Sequence, residues 1–275
     1  HRTRSAMSWR VIARTDAALA AEPRSTRLLL GLPVVTILAA AYLYPVLGAD
    51  PITTARFTGF VASWLTTVVP LAGVLLGYNA IVSERESGAL LLSLSLPHGR
   101  DDLVLGKVFS RVGLLSGAVL AAMTVGAGLV VYPFGSLAVL RFAGFAAATI
   151  AFGAIWTNLG IAASLATGTK QRAVVLAFGL FFLFVMAWNG IAGTLRFGLN
   201  RIGLVDGALP TPVQFVFDLD PGTVFQRITA GFFDPSTAID GPWYLGKWVA
   251  LVVFLLWLIV PLTVSYRRFT GSDLP

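Results

Sequence analysis

Apolar residues in this chain come in long unbroken blocks, not in stripes. Six stretches contain no Asp, Glu, Lys, Arg or His: Leu28–Leu47, Phe57–Val82, Val112–Val131, Phe142–Ala166, Ala173–Leu195 and Trp248–Tyr266. Each is close to the roughly 20 residues a helix needs to cross a hydrocarbon core about 30 Å thick. Leu, Val, Ala, Phe and Gly fill them without period-two alternation, which excludes an outer-membrane barrel. The pattern predicts an all-α integral membrane protein with six transmembrane helices.

The polar intervals predict the remaining elements. Ser8–Ala21 reads as an amphipathic helix, with Trp9, Ile12, Ala13 and Leu19 apolar and Arg10, Arg14 and Asp16 polar. Such a helix is expected to lie in the inner headgroup layer and to end at Pro23. Pro33, Pro45, Pro70 and Pro261 fall inside spans, and Gly113, Gly117, Gly126 and Gly128 give the third span small residues for close helix approach. Glu84–Leu96 forms a leucine-faced helix ended by Pro97, His98 and Gly99, and Asp101 and Asp102 start a new helix leading into the third span. The interval between spans five and six, 196–247, predicts short pieces packed near the membrane. Among them is a helix started by the N-cap Asp220 and Pro221, with Val224, Phe225 and Ile228 on one face.

Composition removes the soluble alternative. Of 275 residues, 56% are hydrophobic and only 12% charged, against about a quarter charged in soluble domains. Six buried helices would need a polar shell this chain lacks. The first span is too long for a signal-peptide core and follows a charged arm, so it is expected to be retained. His1–Ala6 precede Met7 and read as a processed extension or tag remnant.

Charge sets the expected orientation. The arm, the second and fourth loops and the tail hold 14 of the basic residues, and the opposite side holds 6: Arg56, Arg141, Arg196, Arg201, Arg227 and Lys247. Positive residues stay cytoplasmic, so both termini are expected inside. This gives a cytoplasmic arm (1–27), a permease domain (28–266) with a cytoplasmic loop (83–107) and an exterior loop (196–247), and a cytoplasmic tail (267–275). The net charge of +7 belongs to the inner side, where it faces anionic lipid and calls for no nucleic acid. Tyr42, Tyr44, Tyr132, Trp188, Trp243 and Tyr244 are expected at outer interfaces, and Trp9, Tyr78 and Tyr266 at inner ones.

The chemistry missing from the chain narrows the function. Ion-coupled carriers place ionisable groups within the membrane, and none lies in these six stretches; Asn79, Asn158 and Asn189 supply amides, of which Asn158 and Asn189 are candidates for a translocation path. With no cysteine and both histidines outside the spans, no disulfide, zinc site or intramembrane Ser–His dyad is available. Gly241–Trp248 imitates a phosphate-binding loop, but Trp248 replaces the hydroxyl that ligates magnesium and no strand precedes it. No catalytic residue, cofactor or metal is therefore assigned to this chain, and energy for active transport would come from another subunit.

Glu84-Arg85-Glu86-Ser87-Gly88, then Leu91-Leu92-Ser93, Leu96-Pro97 and Gly106-Lys107 resemble the signature of type 2 ABC exporter permeases (ABC-2 type), in particular the branch serving copper-enzyme (nitrous-oxide reductase) maturation. Leu94-Ser95 is an extra pair relative to that signature. The resemblance implies a permease subunit whose second loop is a coupling helix docked on a separate ABC ATP-binding subunit, which holds the ATP and Mg. By it, Glu84, Glu86, Gly88, Leu91, Leu92 and Arg100 are candidates for that contact, with Lys170 and Arg172 as secondary ones. A second permease copy, membrane lipid and an extracytoplasmic accessory protein are the further expected partners, and the plasma or inner membrane the expected location. A non-transporting scaffold for assembly of an extracytoplasmic enzyme and an ion-coupled carrier are the rival readings. Three methionines and no cysteine suit a sulfur compound, a lipid or another organic cargo better than copper(I).

Overall fold

A computed structural model describes residues 2–48, 50–88, 100–132, 135–235 and 242–271, with side chains for all of these except 2–8, 100 and 268–271. Leu91, Leu92 and the predicted turn at Pro97–Gly99 lie outside the described residues. Among those described, six helices are long and apolar enough to cross a membrane. They are α2 (Arg24–Leu47), α3 (Thr54–Gly77), α5 (Arg100–Val131), α6 (Val139–Ala166), the pair α7 (Lys170–Phe181) and α8 (Trp188–Arg201), and α11 (Lys247–Gly271). Shorter elements complete the chain: α1 (Arg2–Ala21), α4 (Val82–Glu86), α9 (Thr211–Phe217) and α10 (Pro221–Ile228). Five of the charge-free stretches fall within these spans, and the sixth, Phe57–Val82, runs through α3 to the start of α4.

Helices α3 and α6 form the centre, each half buried within its most apolar window. Glycine lets their backbones touch. A Cβ at Gly77 would stand 2.3 Å from the Thr157 carbonyl oxygen, and one at Gly160 would stand 2.4 Å from that of Val74. These are the packing glycines, not those expected on the third span. Around Gly113, Gly117 and Gly128 a Cβ would meet nothing within 4 Å, and only Gly126 approaches a neighbour, with Ala41 and Ile37 at 3.4 Å. Glycine spacing marks where close approach is allowed, and only a facing backbone makes it necessary.

The fifth span is interrupted by a π-helical turn, Phe182–Ala187, which no residue pattern announced. The interval after it departs further from expectation. Asp220 caps α10 by accepting from the Thr223 N–H at 3.0 Å, Pro221 is its first residue, and Val224, Phe225 and Ile228 are buried, all as the sequence predicts. The helix is not laid on the membrane face, however, but enters the bundle. Phe225 stacks on Phe152, halfway along α6, with centroids 4.5 Å apart and planes within 12°. Trp257, in the middle of the sixth span, donates its indole N–H to the Leu219 carbonyl at 2.7 Å. Trp188, expected at an outer interface, instead donates to the Phe217 carbonyl at 2.7 Å. An indole N–H among apolar helices needs an acceptor, and the re-entrant loop supplies its backbone.

Candidate functional site at the basic end of the bundle

At the end carrying α1, α4 and the α6–α7 connection, polar groups converge that are far apart in sequence. The exit of α3 is pinned first: the backbone N–H groups of Ile81 and Val82 both donate to Ser164 Oγ, at 3.0 and 2.9 Å. Arg85 then donates to the Thr167 carbonyl at 2.8 Å, and Glu86 accepts the Lys170 backbone N–H at 2.6 Å. Thr169 caps α7 by accepting from the Arg172 N–H. Gly88 closes the segment at φ +74, a left-handed conformation suited to glycine. The primary candidates Glu86 and Gly88 and the secondary candidates Lys170 and Arg172 thus share one surface. Glu86, Lys170 and Arg172 are exposed there.

Glu84 is placed differently. Its carboxylate meets Lys107 on α5 at 2.5 Å, and the same Lys107 ammonium meets Asp16 of α1 at 2.9 Å. Asp16 further accepts from Ser110 at 2.7 Å and from Arg111 at 3.0 and 3.3 Å. Lys107 and Asp16 keep only 6% and 9% of their side-chain surface exposed, so this is a buried network. Burial pushes the Asp16 carboxyl up. The Lys107 and Arg111 charges and the hydrogen bonds from Lys107 and Ser110 more than offset this and hold it below the ordinary carboxylate range.

The amphipathic reading of α1 is corrected by this contact. Asp16, assigned to the polar face, points into the protein, whereas Leu19, assigned to the apolar face, is exposed. The docking face is Trp9, Ile12, Ala13, Asp16 and Ala20, at helical spacing. Gly106 admits it: a Cβ there would lie 2.6 Å from Ile12 Cγ2. Trp9 packs on Phe109 with centroids 4.8 Å apart. One helix-compatible spacing, Gly106-Lys107 with Ser110 and Arg111 following, could have signalled a polar partner for the arm, but nothing local says which carboxylate fills it.

The two amides separate. Asn158 is buried and donates to the Leu258 carbonyl at 3.2 Å, joining α6 to α11. Asn189 is exposed on α8. Arg100 opens α5, with Asp101 and Asp102 in its first turn, and the Tyr266 hydroxyl donates to Asp101, tying the end of α11 to the same region. Among the described residues the arrangement forms no catalytic constellation; it ties α4 to α5, to the end of α6 and to the start of α7.

Residues 40–274 match the model of the ABC-2 family transporter proteins. The chain is 31% identical over 220 residues to a probable ABC transporter permease protein NosY of Pseudomonas aeruginosa, covering 77% of this chain and 75% of that protein. A protein of the same description from Stutzerimonas stutzeri is 29% identical over 220 residues, covering 76% and 77%. With six membrane-crossing helices and the match spanning five of them and part of the first, the chain belongs to the ABC-2 family of transporter proteins, as a multi-pass membrane permease subunit.

Proposed function

We propose that this permease is driven by ATP hydrolysis in a separate ABC ATP-binding subunit, docked on the loop 83–107 at a cytoplasmic basic end, and that it moves its cargo outward. The reading rests above all on the bonding of that loop's first segment to α5, and through Lys107 to α1, and to the α6–α7 connection. Force applied to the loop reaches the spans through buried ion pairs and backbone hydrogen bonds, with little slack. Glu86, Gly88, Lys170 and Arg172 form the exposed rim of the docking surface, and Leu91 and Leu92 its apolar centre. Arg100 lies at the far end of the loop. Glu84 serves from behind, holding the loop to Lys107.

Two permease copies form the working unit. The fifth and sixth spans are the least buried, at 11% of their windows against 50% for the second and fourth. Of the two, the fifth exposes an amide within its charge-free stretch, Asn189, along with Thr194. A side-chain amide facing hydrocarbon is costly, and a second copy packed on this span would give it a partner beside the cargo path. Orientation follows the charge count, with both termini inside. A sulfur compound, a lipid or another organic molecule remains the cargo class the side chains suit, with an extracytoplasmic accessory protein to receive it.

Changing Leu91 and Leu92 to Asp tests the docking. Truncating or charging a buried anchor costs about 2 kcal/mol or more, roughly a thirtyfold loss in affinity. The permease should then no longer co-purify with its ATP-binding subunit while remaining folded in the membrane. Assembly and transport at wild-type levels would reject the proposal.

A further inference from the structure

No ionisable acid or base lies in the six apolar stretches, yet a carboxyl group enters the interior of the bundle. Four spans locate it. The Leu219 carbonyl is bonded to Trp257, the middle residue of Lys247–Arg267, and the Phe217 carbonyl to Trp188, in the middle third of Lys170–Arg201. A Cβ on Gly222 would lie 4.0 Å from Thr66, halfway along α3, and Phe225 stacks on Phe152, halfway along α6. The start of α10 therefore sits near the middle of the membrane-crossing bundle, and Asp220 sits at that start.

Asp220 is only 5% exposed. Its Oδ2 accepts the Thr223 N–H at 3.0 Å, while no described group donates to its buried Oδ1. The charged groups near it are few. Asp218 and Arg227 are close enough to act on it; they are of opposite sign and paired with each other at 2.5 Å, and Arg227 also donates to the Leu245 carbonyl at 3.1 Å. Helix α3 from Phe57, α6 from Phe142, and the fifth span from Ala173 to Leu195 bring no ionisable side chain at all. From Trp248 on, the ionisable residues of α11 are Tyr266, Arg267 and Arg268, all in its last turns at the other end of the bundle, where Tyr266 is bonded to Asp101.

A helix cap does not require this arrangement, because Asn or Ser would cap α10 without introducing an acid. A bare carboxylate with one oxygen unpartnered at this depth is costly, and an ionisable group inside a membrane bundle calls for a functional reading. A proton on Oδ1 removes the charge and leaves Oδ2 free to accept from Thr223. At the far end a cavity of about 520 Å³, lined by Arg56, Ser63, Gln226, Thr229 and Asp234, touches α10 at Gln226, within two turns of Asp220.

We infer that Asp220 is an exchangeable proton-binding site at the mid-depth of the bundle. Uptake forms one O–H bond at Oδ1 with a proton from water on the far side, and release breaks that bond. Nothing is oxidised or reduced. The site stands independently of how the ATP-binding subunit docks.

Infrared difference spectroscopy of the permease in lipid vesicles tests it. At neutral pH the wild type should show the carbonyl band of a protonated carboxyl, which shifts in D2O and fades as the medium is made alkaline. D220N keeps the cap and the Asp218–Arg227 pair, and should lack the band. D220E keeps the acid on a longer arm, and should move the band in frequency; this variant decides the matter if D220N does not fold. Spectra of D220N or D220E that match the wild type at neutral pH, or a band unaltered by D2O, would overturn the inference.

Discussion

Replacing Gly77 with leucine is expected to leave almost no folded permease, whereas the same change at Gly117 is expected to be tolerated by the isolated subunit. At Gly77 the first added carbon would meet the Thr157 carbonyl at 2.3 Å, the Ile161 nitrogen at 2.7 Å and Gly160 Cα at 2.9 Å. All three are backbone atoms, so no rotamer change relieves the clash; α3 and α6 must separate. Overpacking a core side chain commonly costs about 1–3 kcal/mol, and forcing two backbones apart should reach or exceed the top of that range. Because α3 and α6 also hold more of the buried core residues than any other pair of helices, the loss propagates to their neighbours. Around Gly117 nothing lies within 4 Å. Thermal unfolding of the two variants in detergent, followed by size-exclusion chromatography, separates the cases. Comparable stability of both would contradict the packing described for the centre of the bundle.

Lys107 carries the second large effect. In Lys107→Met, Asp16 keeps Ser110 and Arg111, but Glu84 loses the one cation it meets among the described residues. Removing one partner of a buried ion pair costs about 3–5 kcal/mol, mostly because the other charge stays buried. The variant should fold poorly, and limited proteolysis should release the arm. Neutralising Glu84 as well, as Glu84→Gln with Lys107→Met, removes that penalty and leaves Asp16 paired with Arg111. The double variant should regain stability yet couple ATP hydrolysis to transport weakly, since the loop is no longer fixed to α5. Wild-type stability of Lys107→Met alone would show that the network does not hold the arm.

Much of the fold was legible because the membrane makes a strong demand. Six charge-free blocks of spanning length leave few alternatives, and an Asp-Pro pair followed by Val224, Phe225 and Ile228 defined α10 and its buried face correctly. Burial, in contrast, is a relation between segments. The arm's face was misassigned because Asp16 looks like any surface carboxylate until Lys107, Ser110 and Arg111 are brought to it from 91 to 95 residues away. The depth of α10 was hidden for the same reason. A loop rich in Pro, Gly and Asp reads as exterior, and only the indole groups of Trp188 and Trp257, each needing an acceptor within the bundle, reveal that it re-enters. Charge-free spans are thus a weaker argument against ion coupling than they first suggest, since a loop can carry an acid to the depth the spans avoid. Family membership, not the absence of intramembrane charge, is what favours an ATP-driven permease here. Among the coupling candidates, the family resemblance gave Glu84 and Glu86 the same role, whereas geometry turns one inward to Lys107 and the other toward the Lys170 backbone.

The chain has no cysteine, so Ser87→Cys would place a single thiol on the exposed edge of the loop segment, next to Gly88. Labelling that thiol with a membrane-impermeant maleimide measures the central claim directly, because it reports both the side of the membrane and the presence of a covering subunit. The account predicts no modification in intact cells, rapid modification in inverted vesicles stripped of the ATP-binding subunit, and protection when that subunit is added back. Modification in intact cells, or equal rates with and without the ATP-binding subunit, would contradict it.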